Sequence, residues 1–350
     1  MKYFTPKLEA LEPYVPGEQP QFEVIKLNTN ESPYPPAPTV EAAVANAAAV
    51  LARYPDPDCQ NLRQTLAQRF DVMPTEIFVG NGSDEVLAFC FQGLMNAGVV
   101  YPDLTYGFYP VFSQMYDISS KEIPLAADFT LNLADYQEET GTVIFANPNA
   151  PTSLGIAAIE IANFVAANPE RLVIVDEAYV EFGGESMVPY IKEFANLLVV
   201  GTFSKSWQLA GARLGYAVGQ AALIAALNKL KFSFNPYSVN TMTAAAGIAA
   251  LADENYHASC LEQIIGQRQK TAQDLKALGF TVLDSQTNFL FVTHPAVGGK
   301  VIYEKLKMQQ IFVRWFNLPR IKDYLRITIG TPQQMQQCLA AITQIIKDEI

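Results

Sequence analysis

The chain has 350 residues, half of them hydrophobic and 17% charged, which fits a folded protein with a substantial core and excludes an intrinsically disordered one. Its formal net charge of −11 opposes non-specific attachment to nucleic acid or to an anionic membrane, while leaving room for a local basic pocket. Four scattered cysteines and two histidines form no close-set metal pattern, and with no signal-like or membrane-length apolar run the expectation is a cytoplasmic protein with reduced thiols and no metal.

Residues 1–27 read as an extended arm punctuated by prolines, of the kind that lies on another surface. The loop LNTNESPYPPAP (27–38) leads into a helix expected over 39–53 with Thr39 as its N-cap. YPDPDC then breaks the chain before a second helix over 61–70. IFVGNGSDE reads as a short strand, a glycine turn and a helix whose first turn holds Ser83, Asp84 and Glu85.

From there short apolar runs alternate with helical stretches: VVYP (99–102), TVIFA (142–146), LVIVDEA (172–178), LLVVGTF (197–203) and RLGYAVG (213–219). Continuous β-branched runs between amphipathic helices predict an α/β fold, a mostly parallel sheet covered on both faces. Its site belongs at the C-terminal ends of the strands, where Asn147, Asp176, Tyr179, Ser204 and Lys205 fall. Beyond 221 the pattern predicts a long helix over 238–278 and four later strands, GFTVL, NFLFV, IFVRWF and YLRITIG. The expected organisation is an arm (1–27), a large domain (28–245) and a smaller α+β domain (246–350).

Lys205 is the unusual residue, a lone ammonium in the small, apolar company of GTFSKSWQLAGARLGYAVG (201–219). A lysine in such a setting is either exposed or tied up covalently, as a Schiff-base lysine is. Taken singly, Asp176 reads equally as a helix cap, NGSDE as a turn, Tyr106 and Tyr179 as packing, and Arg326 as half of a surface ion pair. Together they supply what pyridoxal phosphate needs: an aspartate after a strand, a tyrosine three residues on, a lysine 29 residues on and an arginine eight residues beyond that.

The sequence resembles the fold-type I pyridoxal-phosphate aminotransferases, and within them the histidinol-phosphate aminotransferase branch. The markers run the length of the chain: LEPYVPG (11–17), KLNTNESPYPP (26–36), RYPDP (53–57), GNGSDE (80–85), NPNAPTS (147–153), VDEAYVEF (175–182), TFSKSWQLAGARLGYAVG (202–219), PYSVN (236–240), TNFLFV (287–292) and LRITIGT (325–331). Two segments depart from the family's common forms. NPNAPTSLG places Ala150 and Ser153 after Asn147, and DLTYGFY stands where the family more commonly has a proline-threonine-tyrosine form, with Leu104 in the proline's place and Tyr106 kept.

The resemblance implies roles for named residues. Lys205 would bond covalently to the cofactor's aldehyde and later move the proton; Asp176 would hold the pyridine nitrogen protonated. Tyr179 and Asn147 would hydrogen-bond the phenolic oxygen, and Tyr106 would stack on the ring. Backbone N–H groups at Ser83 and Asp84, with Ser204 and a bidentate Arg213, would take the phosphate. Tyr54 would reach that phosphate from a neighbouring subunit, implying a homodimer with shared sites. Arg326 would pair with the carboxylate of glutamate and Arg314 with the phosphate of histidinol phosphate, and Tyr14 with Asn28 or Asn30 would line the same pocket.

The function so implied is amino-group transfer between L-histidinol phosphate and 2-oxoglutarate. An aromatic or broad-range aminotransferase and a threonine-phosphate decarboxylase use the same lysine and aspartate and stay open as alternatives. A cofactor-binding regulatory module would need an added basic domain, for which the chain has neither room nor charge. A dinucleotide-binding enzyme would need a G-x-G-x-x-G after a first strand, which is missing.

Overall fold

The computed structural model describes residues 3–350. Thirteen strands run in chain order among these residues: β1 (Ile25–Lys26), β2 (Ile77–Asn81), β3 (Val99–Pro102), β4 (Ser120–Ile123), β5 (Thr142–Ala146), β6 (Val173–Asp176), β7 (Leu197–Thr202), β8 (Leu214–Gly219), β9 (Thr281–Val282), β10 (Phe289–Thr293), β11 (Ile311–Phe312), β12 (Arg314–Trp315) and β13 (Tyr324–Thr328). Seven of them form the central sheet in the order β2-β8-β7-β6-β5-β3-β4. All of its pairings are parallel except the two made by β8, the single reversed strand.

The apolar runs of β5, β6 and β7 are continuous because alternate residues enter different cores. Val143, Phe145, Val173, Val175 and Val199 pack on one face, with Leu62, Ile161 and Ala246 from the helices Gln60–Phe70, Ala158–Ala167 and Thr241–Ala252. Ile144, Ile174, Leu198 and Val200 pack on the other, with Val86, Phe112 and Leu227 from the helices Gly82–Leu94, Phe108–Met115 and Ala221–Phe234. The sheet is thus an apolar layer between two helical layers.

The second sheet is wholly antiparallel, in the order β12-β13-β10-β9. One face packs on the helices Glu254–Ala277, Gly299–Met308 and Pro332–Glu349. On the other, Phe291 and Ile321 meet Leu104, Leu125 and Phe129 of the central unit. β1 pairs in parallel with β11, which ties the arm to the second unit immediately before Asn28.

Several expectations require correction. The helix expected over 39–53 is Pro38–Ala48; Thr39 lies inside its first turn, because Pro38 presets the helical φ one residue earlier. The single helix expected over 238–278 is two, Thr241–Ala252 and Glu254–Ala277, divided where the Asp253 side chain caps the second by accepting from Tyr256 N. The arm expected to be extended contains a short helix, Pro6–Ala10, capped by Thr5 Oγ1 accepting from Leu8 N. Further elements were not expected. The helix Ala221–Phe234 covers one face of the central sheet, and β4, SKEI, is an edge strand whose first three residues are exposed, so it carries no hydrophobic signal. IFVRWF splits at Val313 into β11 and β12, which serve different sheets. The helix that spans residue 245 packs through Ala246, Ala250 and Leu251 into the core of the central sheet. All four cysteines are free and buried.

Candidate active site

Because β5, β6 and β7 are parallel, their C-terminal ends gather at one edge of the sheet, and the second unit closes over that edge. A cleft of about 720 Å³ lies there, reached by Tyr14, Tyr106, Tyr179, Lys205, Arg314 and Arg326. Among the described residues, none of its three cations, Lys205, Arg314 and Arg326, forms an ion pair; each donates to backbone carbonyls instead.

The segment Asn28–Asn30 organises this arrangement. Its entry is fixed by β1, with Leu27 N bonded to Phe312 O at 2.7 Å. Arg326 Nη2 donates to Asn28 O at 3.0 Å and Lys205 Nζ to Thr29 O at 3.1 Å. Asn30 adopts a left-handed φ of 57°, which asparagine tolerates better than most residues, and its Nδ2 donates to Tyr179 Oη at 2.9 Å. Thr328 Oγ1 and Asn288 Nδ2 secure Asn30 from β13 and from the residue before β10, both at 2.9 Å. Lys205 Nζ stands 5.8 Å from the centre of the Tyr179 ring. Asn28, Asn30, Tyr179, Lys205 and Arg326 therefore meet in one place.

A second group sits at the start of the helix Gly82–Leu94. Gly82 has φ +76°, and a Cβ there would stand 2.4 Å from Arg213 Nη2; at Gly215 one would stand 2.2 Å from Ser83 N. These glycines let the Arg213 guanidinium and the backbone of β8 approach the helix N-terminus closely, beside the Ser204 hydroxyl. A phosphate fits that donor set, since helix N–H groups, a hydroxyl and a guanidinium all favour an anion. The Arg213 fork expected to be bidentate is already shared: Nη2 binds Asp84 Oδ2 at 2.8 Å and Nη1 lies 3.5 Å from Ser204 Oγ. Asp84 also accepts from Tyr106 Oη at 2.6 Å, so only its backbone N–H is suited to an anion. Burial first, then Asp84, pushes the Tyr106 phenol well above its ordinary pKa.

Asp176 ends β6 with its carboxylate buried beneath the cleft. Tyr109 Oη donates to its Oδ2 and Ala178 N to its Oδ1, both at 3.1 Å. Desolvation pushes its pKa up to about 6, against the opposing effect of these two donors and Lys205. A cation beside it, such as a protonated pyridine nitrogen, would favour its charged form. Tyr109 escaped sequence reading because it looks like one more apolar position of an aromatic-rich helix; its spacing of three from Tyr106 was the available signal.

At the outer end of the cleft, Tyr14 stacks on Phe108 at a centroid distance of 4.3 Å. Arg314 donates from Nη2 to Val15 O at 3.2 Å and from Nη1 to Pro16 O at 3.4 Å, so the arm is held by the arginine expected to meet substrate. Arg326 has its pKa lowered by desolvation, and its Nε is buried without a partner. Such an arginine suits an anionic ligand, which would supply the missing acceptor.

Besides Ser83, Asp84, Asp176, Ser204 and Arg213, two further expected residues, Asn147 and Tyr54, do not line this cleft. Asn147 bonds Ile156 through both ends of its amide, Nδ2 to the carbonyl at 3.1 Å and Oδ1 from the N–H at 2.8 Å, which leaves one amide hydrogen for a ligand. Tyr54 is 82% exposed and stacks on Tyr237 at 4.6 Å, on the protein surface.

The aminotransferase class I and II family model matches residues 23–342. The chain is 46% identical to a histidinol-phosphate aminotransferase of Acinetobacter baumannii, over all of this chain and 98% of that protein. It is equally similar to one from Chromohalobacter salexigens, at 46% identity over 99% of each chain. The crystal structure of histidinol-phosphate aminotransferase from Sinorhizobium meliloti in complex with pyridoxal-5'-phosphate superposes with a TM-score of 0.90 at 29% identity, over 99% of this chain and 98% of that one. Residue pattern, fold and site geometry agree, and the chain belongs to the class I and II aminotransferases, in the branch of the histidinol-phosphate aminotransferases.

Proposed function

We propose that the protein transfers the amino group of L-histidinol phosphate to 2-oxoglutarate, with pyridoxal phosphate as cofactor. One observation supports this reading above the others: a single cleft gathers a lysine amine and two arginines without carboxylate partners, beside a glycine-lined helix N-terminus. Bound pyridoxal phosphate supplies an aldehyde that takes up the amino group and a ring that stabilises negative charge at the substrate carbon.

The protein's own residues do the rest. Lys205 Nζ would hold the aldehyde, and its free amine is placed to carry the proton from the substrate Cα. Its hydrogen bond to a neutral carbonyl, rather than to a carboxylate, leaves the amine with no charge partner to give up. Asp176 holds the proton on the ring nitrogen. Tyr106 packs on the ring, and Tyr179 and Asn147 offer donors to the phenolic oxygen. Ser83, the Asp84 backbone, Ser204 and Arg213 take the phosphate, and Tyr54 of a second copy completes that site in a homodimer. Arg326 receives the carboxylate of glutamate, and Arg314, with Arg326 beside it, the phosphate of histidinol phosphate, with Tyr14, Asn28 and Asn30 enclosing them.

No helix among the described residues is long and apolar enough to cross a membrane, and no metal-binding cluster of acidic, histidine or cysteine side chains occurs among them. The reading further includes a cytoplasmic homodimer acting on small molecules. We place the boundary between the large and small domains at Asp253, where the helix of the central unit ends and the helix of the second begins.

Purified protein supplied with pyridoxal phosphate, L-histidinol phosphate and 2-oxoglutarate should form glutamate. Preferential use of phenylalanine or tyrosine would replace the assignment with an aromatic aminotransferase. Carbon dioxide release from threonine phosphate without an oxo acid would replace it with the lyase.

A further inference from the structure

Tyr109 has no part in the scheme above, yet its phenol is the only side chain hydrogen-bonded to Asp176 among the described residues. Its ring is fully buried against Phe91, Tyr101 and Tyr106, at centroid distances of 6.1, 5.9 and 5.9 Å. Three aromatic neighbours fix the direction in which the hydroxyl points. With Tyr109 Oη on one carboxylate oxygen and Ala178 N on the other, the plane of the carboxylate is set, and each oxygen keeps a further lone pair.

We infer that Tyr109 is a positioning residue for the reaction, holding the Asp176 carboxylate ionised and oriented for the cofactor's ring nitrogen. The inference rests on the assignment of Asp176 made above. Asp176 is buried, opposite Val200 in the sheet, and a carboxylate so buried becomes neutral unless donors or cations oppose the loss of water. Of the charged and titratable groups around it, Asp84 opposes its charge and Lys205 favours it, while Glu177, Cys90 and Tyr106 are themselves pushed towards their protonated forms by burial. Tyr109 is the largest influence opposing desolvation. Its own phenol is raised well above the ordinary tyrosine pKa, so it stays a donor throughout the working range.

The test is Tyr109→Phe, read by the titration of the Asp176 carboxyl in cofactor-free protein, followed by carbon-13 NMR and assigned with Asp176→Asn. The midpoint should rise by about one pH unit, the size expected for one lost hydrogen bond to a charged group. The dissociation constant for pyridoxal phosphate should rise by about twofold at pH 7 and approach tenfold below about pH 5, with the difference vanishing at more alkaline pH as the carboxyl ionises in both proteins. If the phenylalanine variant folds poorly, 3-fluorotyrosine at position 109, a stronger donor of similar size, should move the midpoint down.

A midpoint that neither replacement moves would overturn the inference. Should Asp176→Asn bind pyridoxal phosphate as tightly as the parent, the assignment of Asp176 itself would fall. Weak binding by Asp176→Asn together with unchanged titration and binding in Tyr109→Phe would remove Tyr109 alone.

Discussion

Arg314 and Arg326 stand directly opposite one another on β12 and β13. Like charges in that relation destabilise a sheet, and neither guanidinium has a carboxylate to offset the other. Both instead donate to carbonyls of the N-terminal segment, at Val15, Pro16 and Asn28. A doubly charged phosphate placed between them would relieve the repulsion, which is the physical argument for a phosphorylated substrate. Arg314→Gln should therefore raise KM for histidinol phosphate by about tenfold to a hundredfold, the worth of one charge-assisted hydrogen bond, while kcat changes little. Arg326→Gln should impair histidinol phosphate and glutamate alike. Steady-state kinetics with both donors checks the split, and equal losses from the two variants on both substrates would remove the assignment.

Glu177, the residue after Asp176, is buried and accepts from Met187 N and Ser186 Oγ. Desolvation nevertheless pushes its pKa up to about 8 from an ordinary value of 4.5. The folded protein then keeps a proton that the unfolded chain releases. Stability from this group is full below about pH 4.5 and is lost as pH rises towards 8. Glu177→Gln mimics the protonated form and should exceed the parent by at least about 1 kcal/mol at pH 8.5, with the advantage shrinking as pH falls and gone below about pH 4. Thermal melts of the cofactor-free proteins across pH measure this.

Tyr54 stacks on Tyr237 at the surface, away from the cleft of its own chain. Shared sites in a dimer predict complementation. Lys205→Ala and Tyr54→Phe proteins, mixed and reassembled, should regain activity, because one site of each hybrid receives an intact lysine from one chain and an intact tyrosine from the other. Sites contained within single chains would give a mixture no more active than its Tyr54→Phe component.

How much of this was legible beforehand depends on where the information lies. The strands β3 and β5 were readable to the residue, since a strand buried on both faces is a continuous apolar run. β4 was not, because three exposed polar residues owe their conformation to pairing with β3. The break at Asp253 is a single cap inside a long helical pattern. For the site, residue types and spacing pointed to Lys205, Asp176 and Arg326, which the fold gathers around one cleft edge. The partners Tyr109, Thr328 and Asn288 became visible only in three dimensions, because each acts on a residue 67, 298 or 258 positions away in sequence. The sharing of Arg213 with Asp84, 129 positions apart, was hidden for the same reason.

The central claim is that Lys205 carries pyridoxal phosphate in a cleft built for histidinol phosphate. The most direct measurement is the visible absorbance spectrum of the protein reconstituted with pyridoxal phosphate, before and after adding L-histidinol phosphate or phenylalanine. The account predicts a band that requires Lys205, is missing in Lys205→Ala, and shifts with histidinol phosphate but not with phenylalanine. A protein that shows no band after pyridoxal phosphate is added, or a Lys205→Ala variant that keeps it, would contradict the account.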